Sequence, residues 1–363
     1  MRQWQSFWFH PQSMYPLGLV RMAFGVMMMC WSASLLPDLR DYFGPQGLRP
    51  QIVHGPYRLT IFALSSTDRT VLVCWVVLFV ASIAMTVGWR SRLASVLVCV
   101  LVMSFQTRNP SVFNAGDAVI RAEALFLAIS PSGTALSLDQ RRRTGRFWTA
   151  QERAPWALRL IQIQLTIIYL GTVRTKINGE TWPNGTAVSY ALRLEDMVIL
   201  PAPNWVTHNG LLMNVATWLV LALEFCIGVF VWNRRLRPWV LTAGVIMHTG
   251  IAISVAVGFF SPAMFVLYLA FLSAETVQRI PTSLLHLMRK APKKAPPPSA
   301  ESVSQHEVYR AARSQTGTPE AVPEGGTDVH EESDVDGQGT IALTVFPEVS
   351  TSRFRPPGND RRR

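Results

Sequence analysis

Residues 70–106 read TVLVCWVVLFVASIAMTVGWRSRLASVLVCVLVMSFQ. Two apolar runs, 70–88 and 93–106, are parted only by Trp89, Arg90, Ser91 and Arg92. A run of about 18 to 22 apolar residues crosses the hydrocarbon of a bilayer as a helix, since a helix satisfies its own backbone groups there. Two such runs joined by a short basic turn make a helical hairpin, with the arginines on the cytoplasmic side.

Working outward, further apolar segments lie at 16–36, 112–129, 156–175, 211–232, 239–257 and 259–274. The expected fold is therefore an all-α, polytopic transmembrane helix bundle of about eight spans. Composition agrees: 49% of the 363 residues are hydrophobic and 16% charged, well under the charge content of soluble domains. The expected organisation is an interfacial segment over 1–15, a membrane domain over 16–280, and a disordered cytoplasmic tail over 281–363, where Lys, Pro, Ser, Glu and Gly dominate and too little apolar surface remains to offset ordering entropy. Between the first two spans, the Pro- and Gly-punctuated loop PDLRDYFGPQGLRP breaks any continuous helix and is expected to fold back on the membrane surface.

The net charge of +11 does not point to nucleic acid, because the basic residues occupy short turns instead of one amphipathic face. One side collects Arg90, Arg92, Arg141, Arg142, Arg143, Arg146, Arg153, Arg234, Arg235 and Arg237; the other holds fewer, spread over longer loops. The first side is assigned to the cytoplasm, so both termini are expected inside a multi-pass plasma-membrane protein. Arg289, Lys290, Lys293 and Lys294 follow the last span and can hold anionic lipid headgroups. Trp4, Phe7, Trp8 and Phe9 read as an interfacial anchor, with no removable signal peptide expected. Cys30, Cys74, Cys99 and Cys226 all sit in apolar runs and read as packed small hydrophobes.

Ionisable residues inside spans are costly, so each is a functional candidate. They are Asp117, Arg121, Glu123, Glu224, His248 and, at an outer helix end, Lys176. Asp117 and Arg121 are four apart, share a helix face and are expected to pair. Gln162, Thr166, Tyr169 and Lys176 fall on one stripe of a 3.6-residue helix, and Trp182 follows in a turn at headgroup level. Lys176, Glu224 and His248 would make an amine, an acid and a titratable ring around one cavity if their helices pack together. No HExxH, CxxC pair, GxxxxGK[ST], GxGxxG or GxSxG occurs, so metal, nucleotide and serine-hydrolase readings have no support.

Four stretches in order, PLGLVRMAFGVMM, PDLRDYFGPQGLRP, RNPSVFNAGDAVIRAEALFLAISPSGTALSLD and YLGTVRTKINGETWPNGTAVSYAL, resemble the HTTM family, bacterial membrane proteins similar to the membrane region of vitamin K-dependent gamma-glutamyl carboxylase. The resemblance covers residues 8–274. It implies a lysine base acting on a reduced quinone, and Lys176 best matches that lysine. The implied site has Lys176 with Glu224 and His248 as helpers, and Tyr169, Trp182, Asp117 and Arg121 as substrate-binding candidates. The residues themselves require no cofactor; the resemblance alone implies a reduced quinone, and it implies no metal. The carboxylase carries a functional histidine shortly before its S-x-D motif, whereas SPSGTALSLD has none; it also has a large lumenal domain that has no counterpart after the last span here. Both departures argue against peptide carboxylation. The two readings to be tested are chemistry on a quinone or lipid, and a non-catalytic membrane protein that binds lipid or scaffolds a partner.

Overall fold

The computed structural model describes residues 1–49 and 60–280; the expected tail and its Arg289 to Lys294 cluster lie outside the described residues. Among the described residues the α-helices follow in chain order as α1 (Arg2–Phe9), α2 (Tyr15–Ser34), α3 (Leu39–Phe43), α4 (Asp68–Val87), α5 (Ser91–Arg108), α6 (Ala115–Ile129), α7 (Leu138–Thr144), α8 (Trp156–Ile177), α9 (Ala187–Ala191), α10 (Asn204–Thr207), α11 (Gly210–Phe230), α12 (Arg237–Ser254), α13 (Phe260–Leu269) and a last helix at Ala274–Ile280. Each of the eight expected apolar segments is helical. By length and composition, α2, α4, α5, α8 and α11 can each cross a membrane, and a sixth span is possible if α13 and the following 274–280 helix, bent by 108°, act together. α6, with 15 residues, is shorter than a span. The architecture is all-α and polytopic, with one addition: Gln12–Ser13 pairs antiparallel with Glu152–Arg153 and fastens the N-terminal segment to the loop before α8.

Packing explains the positions of the helices. α2, α4, α5 and α6 pack in succession, α8 and α12 both pack on α11, and α13 touches α2, α6, α8 and α12. The faces turned away from these contacts stay apolar: Leu72, Val73, Val76 and Val80 on α4, and Val215, Trp218 and Leu219 on α11, are all exposed. Continuous exposed apolar surface of this kind matches lipid, not water. Cys74 and Cys99 are buried as expected, Cys226 is half-buried, and Cys30 on α2 is exposed.

The two ends of the bundle are tied differently. At the basic-loop end, Asp139 accepts from Arg90 N at 2.9 Å and from Ser91 N at 2.7 Å, capping α5. Arg21, fully buried on α2, donates to Leu136 O at 2.5 Å and to Ser91 Oγ at 3.3 Å. Gly88 makes the α4–α5 turn possible: its φ is +71°, and a Cβ there would overlap Arg21 and Ser137. At the other end the long loop docks onto α5, where buried Arg108 donates to Gly44 O at 3.0 Å and Asn109 to Tyr42 O at 2.9 Å.

Candidate functional site

Lys176 lies in the last turn of α8. Side chains in a helix lean toward its N-terminus, so the lysine stem runs back along α8 instead of out to water. Its Nζ donates to Glu224 Oε1 on α11 at 2.6 Å, with side chains 22% and 10% exposed. The Trp182 ring covers the ammonium, 4.1 Å from Nζ to centroid. Charge-assisted contacts of this length are among the strong hydrogen bonds, and a cation over an indole face adds to them.

The loop carrying Trp182 is pinned to α11. Gly185 takes φ +71° and sits where a Cβ would overlap the Asn214 amide; Asn214 Nδ2 donates to Asn184 O at 3.4 Å; and Val188 N donates to Thr217 Oγ1 at 3.2 Å. The turn glycines in NGETWPNG thus permit a close approach that sets Trp182 over the lysine.

Two turns deeper, the Tyr169 hydroxyl lies 2.9 Å from His248 Nε2 on α12 and also bonds the Tyr268 hydroxyl on α13. Missing side chains make room: a Cβ on Gly244 would sit 2.5 Å from the Tyr268 hydroxyl, and one on Gly228 would sit 3.4 Å from Tyr169 Cβ. His248, 1% exposed, is walled by Phe260 and Phe265 at centroid distances of 5.3 and 6.3 Å. Among the described residues, His248 Nδ1 and Glu224 Oε2 have no hydrogen-bond partner. Tyr169 and Lys176 stand seven residues, two turns, apart on one face of α8, so the two groups lie in succession along that face. The packing thus brings Lys176, Glu224, His248, Tyr169 and Trp182 together from α8, α11, α12 and one loop. Tyr268, the single tyrosine of 259–274, joins this group through Tyr169; the sequence reading does not single it out, although a tyrosine hydroxyl in an apolar segment is a signal of a buried partner.

Asp117 and Arg121 are placed elsewhere, and their expected pairing is replaced by other partners. Asp117 closes a capping box with Asn114 at the start of α6 and accepts from Trp31 Nε1 at 2.8 Å. Arg121 Nε donates to Gln106 Oε1 at 2.7 Å. The stretch NAGD is itself an N-terminal signature, and the cap claims the carboxylate before the next turn can. The rest of the α8 stripe serves packing: Gln162 donates to Ala270 O at 2.7 Å, and Thr166 accepts from Trp232 at 2.9 Å. Glu123, 1% exposed, has both carboxyl oxygens without a hydrogen-bond partner among the described residues.

Among the described residues no three of His, Cys, Asp or Glu gather as metal ligands. An open depression of about 550 Å³ is lined by Arg159 of α8 together with residues of the N-terminal segment. It does not coincide with the Lys176 cluster, because Arg159 and Lys176 are separated by about 26 Å of helix.

The HTTM domain model matches residues 9–275, most of the chain. No curated protein and no solved structure matches it. The apolar helices, the lipid-facing surface and this match together identify the chain as a multi-pass membrane protein belonging to the HTTM family.

Proposed function

We propose that this protein is an enzyme that removes a proton from a membrane-soluble substrate, a reduced quinone or a related lipid, with Lys176 as the base. The observation that carries this reading is the 2.6 Å contact of Lys176 with Glu224 beneath Trp182. An ammonium is no base until it gives up its proton. Glu224 is placed to take that proton, leaving a neutral amine beside a neutral acid, and in a low-dielectric site this exchange removes two charges that are costly to keep apart. The freed amine can then accept the proton of a substrate hydroxyl. Trp182 offers an aromatic face for a planar ring, and Ile167, Leu170 and Ile177, all exposed on α8, offer apolar surface for a lipid tail. Tyr169, Tyr268 and His248 make a second polar layer that orients the first.

Peptide carboxylation is not part of this reading. In SPSGTALSLD the acidic residue Asp139 is committed to capping α5, and no histidine precedes it. We place the protein in the plasma membrane with the basic loops and both termini in the cytoplasm, so that Lys176 serves the outer leaflet; the distribution of arginines supports this.

A second reading is favoured by one feature of the same contact: Lys176 is bonded to Glu224 and covered by Trp182, and such a group can tie α8 to α11 in a non-catalytic protein that binds lipid or scaffolds a partner. Oxygen uptake and epoxide formation with reduced quinones, measured on purified protein in detergent, separate the two. Turnover by the wild type that is lost in a folded Lys176→Ala variant supports the enzyme. No turnover by either protein, with the variant only less stable, favours the structural tie.

A further inference from the structure

The depression beside Arg159 lies at the basic-loop end of the bundle, far from Lys176. Its floor is α8 one turn after Trp156, and its wall is α1 and the strand that follows. Arg2, Gln3, Ser6, His10, Gln12 and Arg159 supply its polar lining, and among these described residues none is acidic. Arg159 is already committed on its edges, donating from Nη1 to Gln162 Oε1 at 2.8 Å and from Nη2 to Gln12 Oε1 at 3.3 Å, while its plane lies over Phe7, 4.7 Å from the centroid. Those partners are neutral. Its Nε donates to another neutral acceptor, Phe7 O, at 3.4 Å. Among the described residues that line the depression, Arg2 and Arg159 thus bring two guanidinium groups to a polar space that holds no carboxylate.

The surroundings place that space at headgroup depth. Trp4 and Phe9 on α1 are 67% and 61% exposed, as aromatic anchors at a membrane interface are. A guanidinium half-sunk at this level, among polar donors in a lining without a carboxylate, is the arrangement that recognises phosphate.

We propose that the α1–α8 depression is a binding site for the phosphate group of an anionic phospholipid, held by Arg2 and Arg159 with Gln3, Ser6 and His10 as further donors. The lipid rather than a soluble phosphate is favoured because the exposed aromatic residues of α1 put the opening among headgroups, with apolar surface beside it for acyl chains.

The test uses the full chain in nanodiscs or detergent and measures retention of phosphatidylglycerol against phosphatidylcholine by native mass spectrometry. Each neutralised arginine should lower the preference for phosphatidylglycerol about fivefold, the effect of one charge at a membrane surface. Arg2→Ala alters only an exposed terminal side chain. Arg159→Gln removes the charge while keeping an amide able to bond its neighbours. Both should reduce the preference while an Arg141→Gln, Arg142→Gln control, at the same end but away from the depression, does not. An equal loss in the control would overturn the proposal, since general basicity would then account for the preference. Unchanged preference in folded Arg2→Ala and Arg159→Gln proteins would overturn it as well. Inorganic phosphate that binds the lipid-free protein and displaces phosphatidylglycerol at millimolar concentration would reassign the site to a soluble phosphate.

Discussion

Lys176 turns back along its own helix to meet Glu224 at 2.6 Å, where an unpaired lysine one residue from the helix end would extend toward the water. The contact joins α8 and α11 at the end of α8 that Trp182 covers, and it makes the two charges interdependent. Removing one leaves the other poorly solvated; removing both leaves nothing to solvate.

Lys176→Met and Glu224→Leu should therefore each destabilise the protein by about 2 kcal/mol, below the 3 to 5 kcal/mol of a fully buried pair because some water reaches the lysine. The double variant should lose less than the sum of the two. Unfolding in detergent of the four proteins gives the coupling directly, and strict additivity would mean that the pair contributes nothing.

The Tyr169 hydroxyl serves both His248 and Tyr268. Tyr169→Phe should strand two buried polar groups and cost about 1 to 3 kcal/mol. Tyr268→Phe should cost less, because His248 keeps its partner. Thermal midpoints of the two variants in one detergent check the order, and equal midpoints would show that Tyr169 is not the hub.

Much of this was legible in the chain itself. The positions of the eight helical segments follow from apolar run length, and the stripe ending at Lys176 follows from 3.6-residue spacing, because both depend on local sequence. The adjacency of Lys176 and Glu224 was not legible: it requires α8 to pack on α11 in a particular register, and that register is fixed by small residues such as Gly228, which admits Tyr169 and Leu170. The pairing of Asp117 with Arg121 expected from their spacing does not form, because the capping box with Asn114 and the Trp31 indole, which no local spacing shows, take the carboxylate.

Gly88 and Gly145 provide a matched pair. Both end helices with positive φ, +71° and +76°, but a Cβ on Gly88 would overlap Arg21 and Ser137, while one on Gly145 would meet nothing within 4 Å. Gly145→Ala should cost only the left-handed strain of about 1 kcal/mol. Gly88→Ala should cost about 2 to 4 kcal/mol, because the buried Arg21 side chain must also move. Unfolding free energies of both variants test this, and equal losses would show that the Arg21 cradle yields freely.

Asp139 gives the clearest pH dependence outside the spans. Partial burial raises its pKa, but hydrogen bonds from Ser91 N, Ser91 Oγ and Arg90 N, with the charge of Arg142, outweigh that and leave it below the ordinary aspartate value. A carboxyl whose folded pKa lies below its unfolded one contributes its full stability above the unfolded value, about 3.9, and loses it as pH falls through the folded value. Asp139→Asn should therefore be less stable than wild type by a constant amount from about pH 5 to 8, and the gap should close below about pH 4. Midpoints measured across this range on both proteins cancel the titration of every other carboxyl. A gap that stays open in acid would mean that Asp139 acts through geometry alone, as a neutral acceptor for the start of α5, and that its charge adds nothing to the turn it caps.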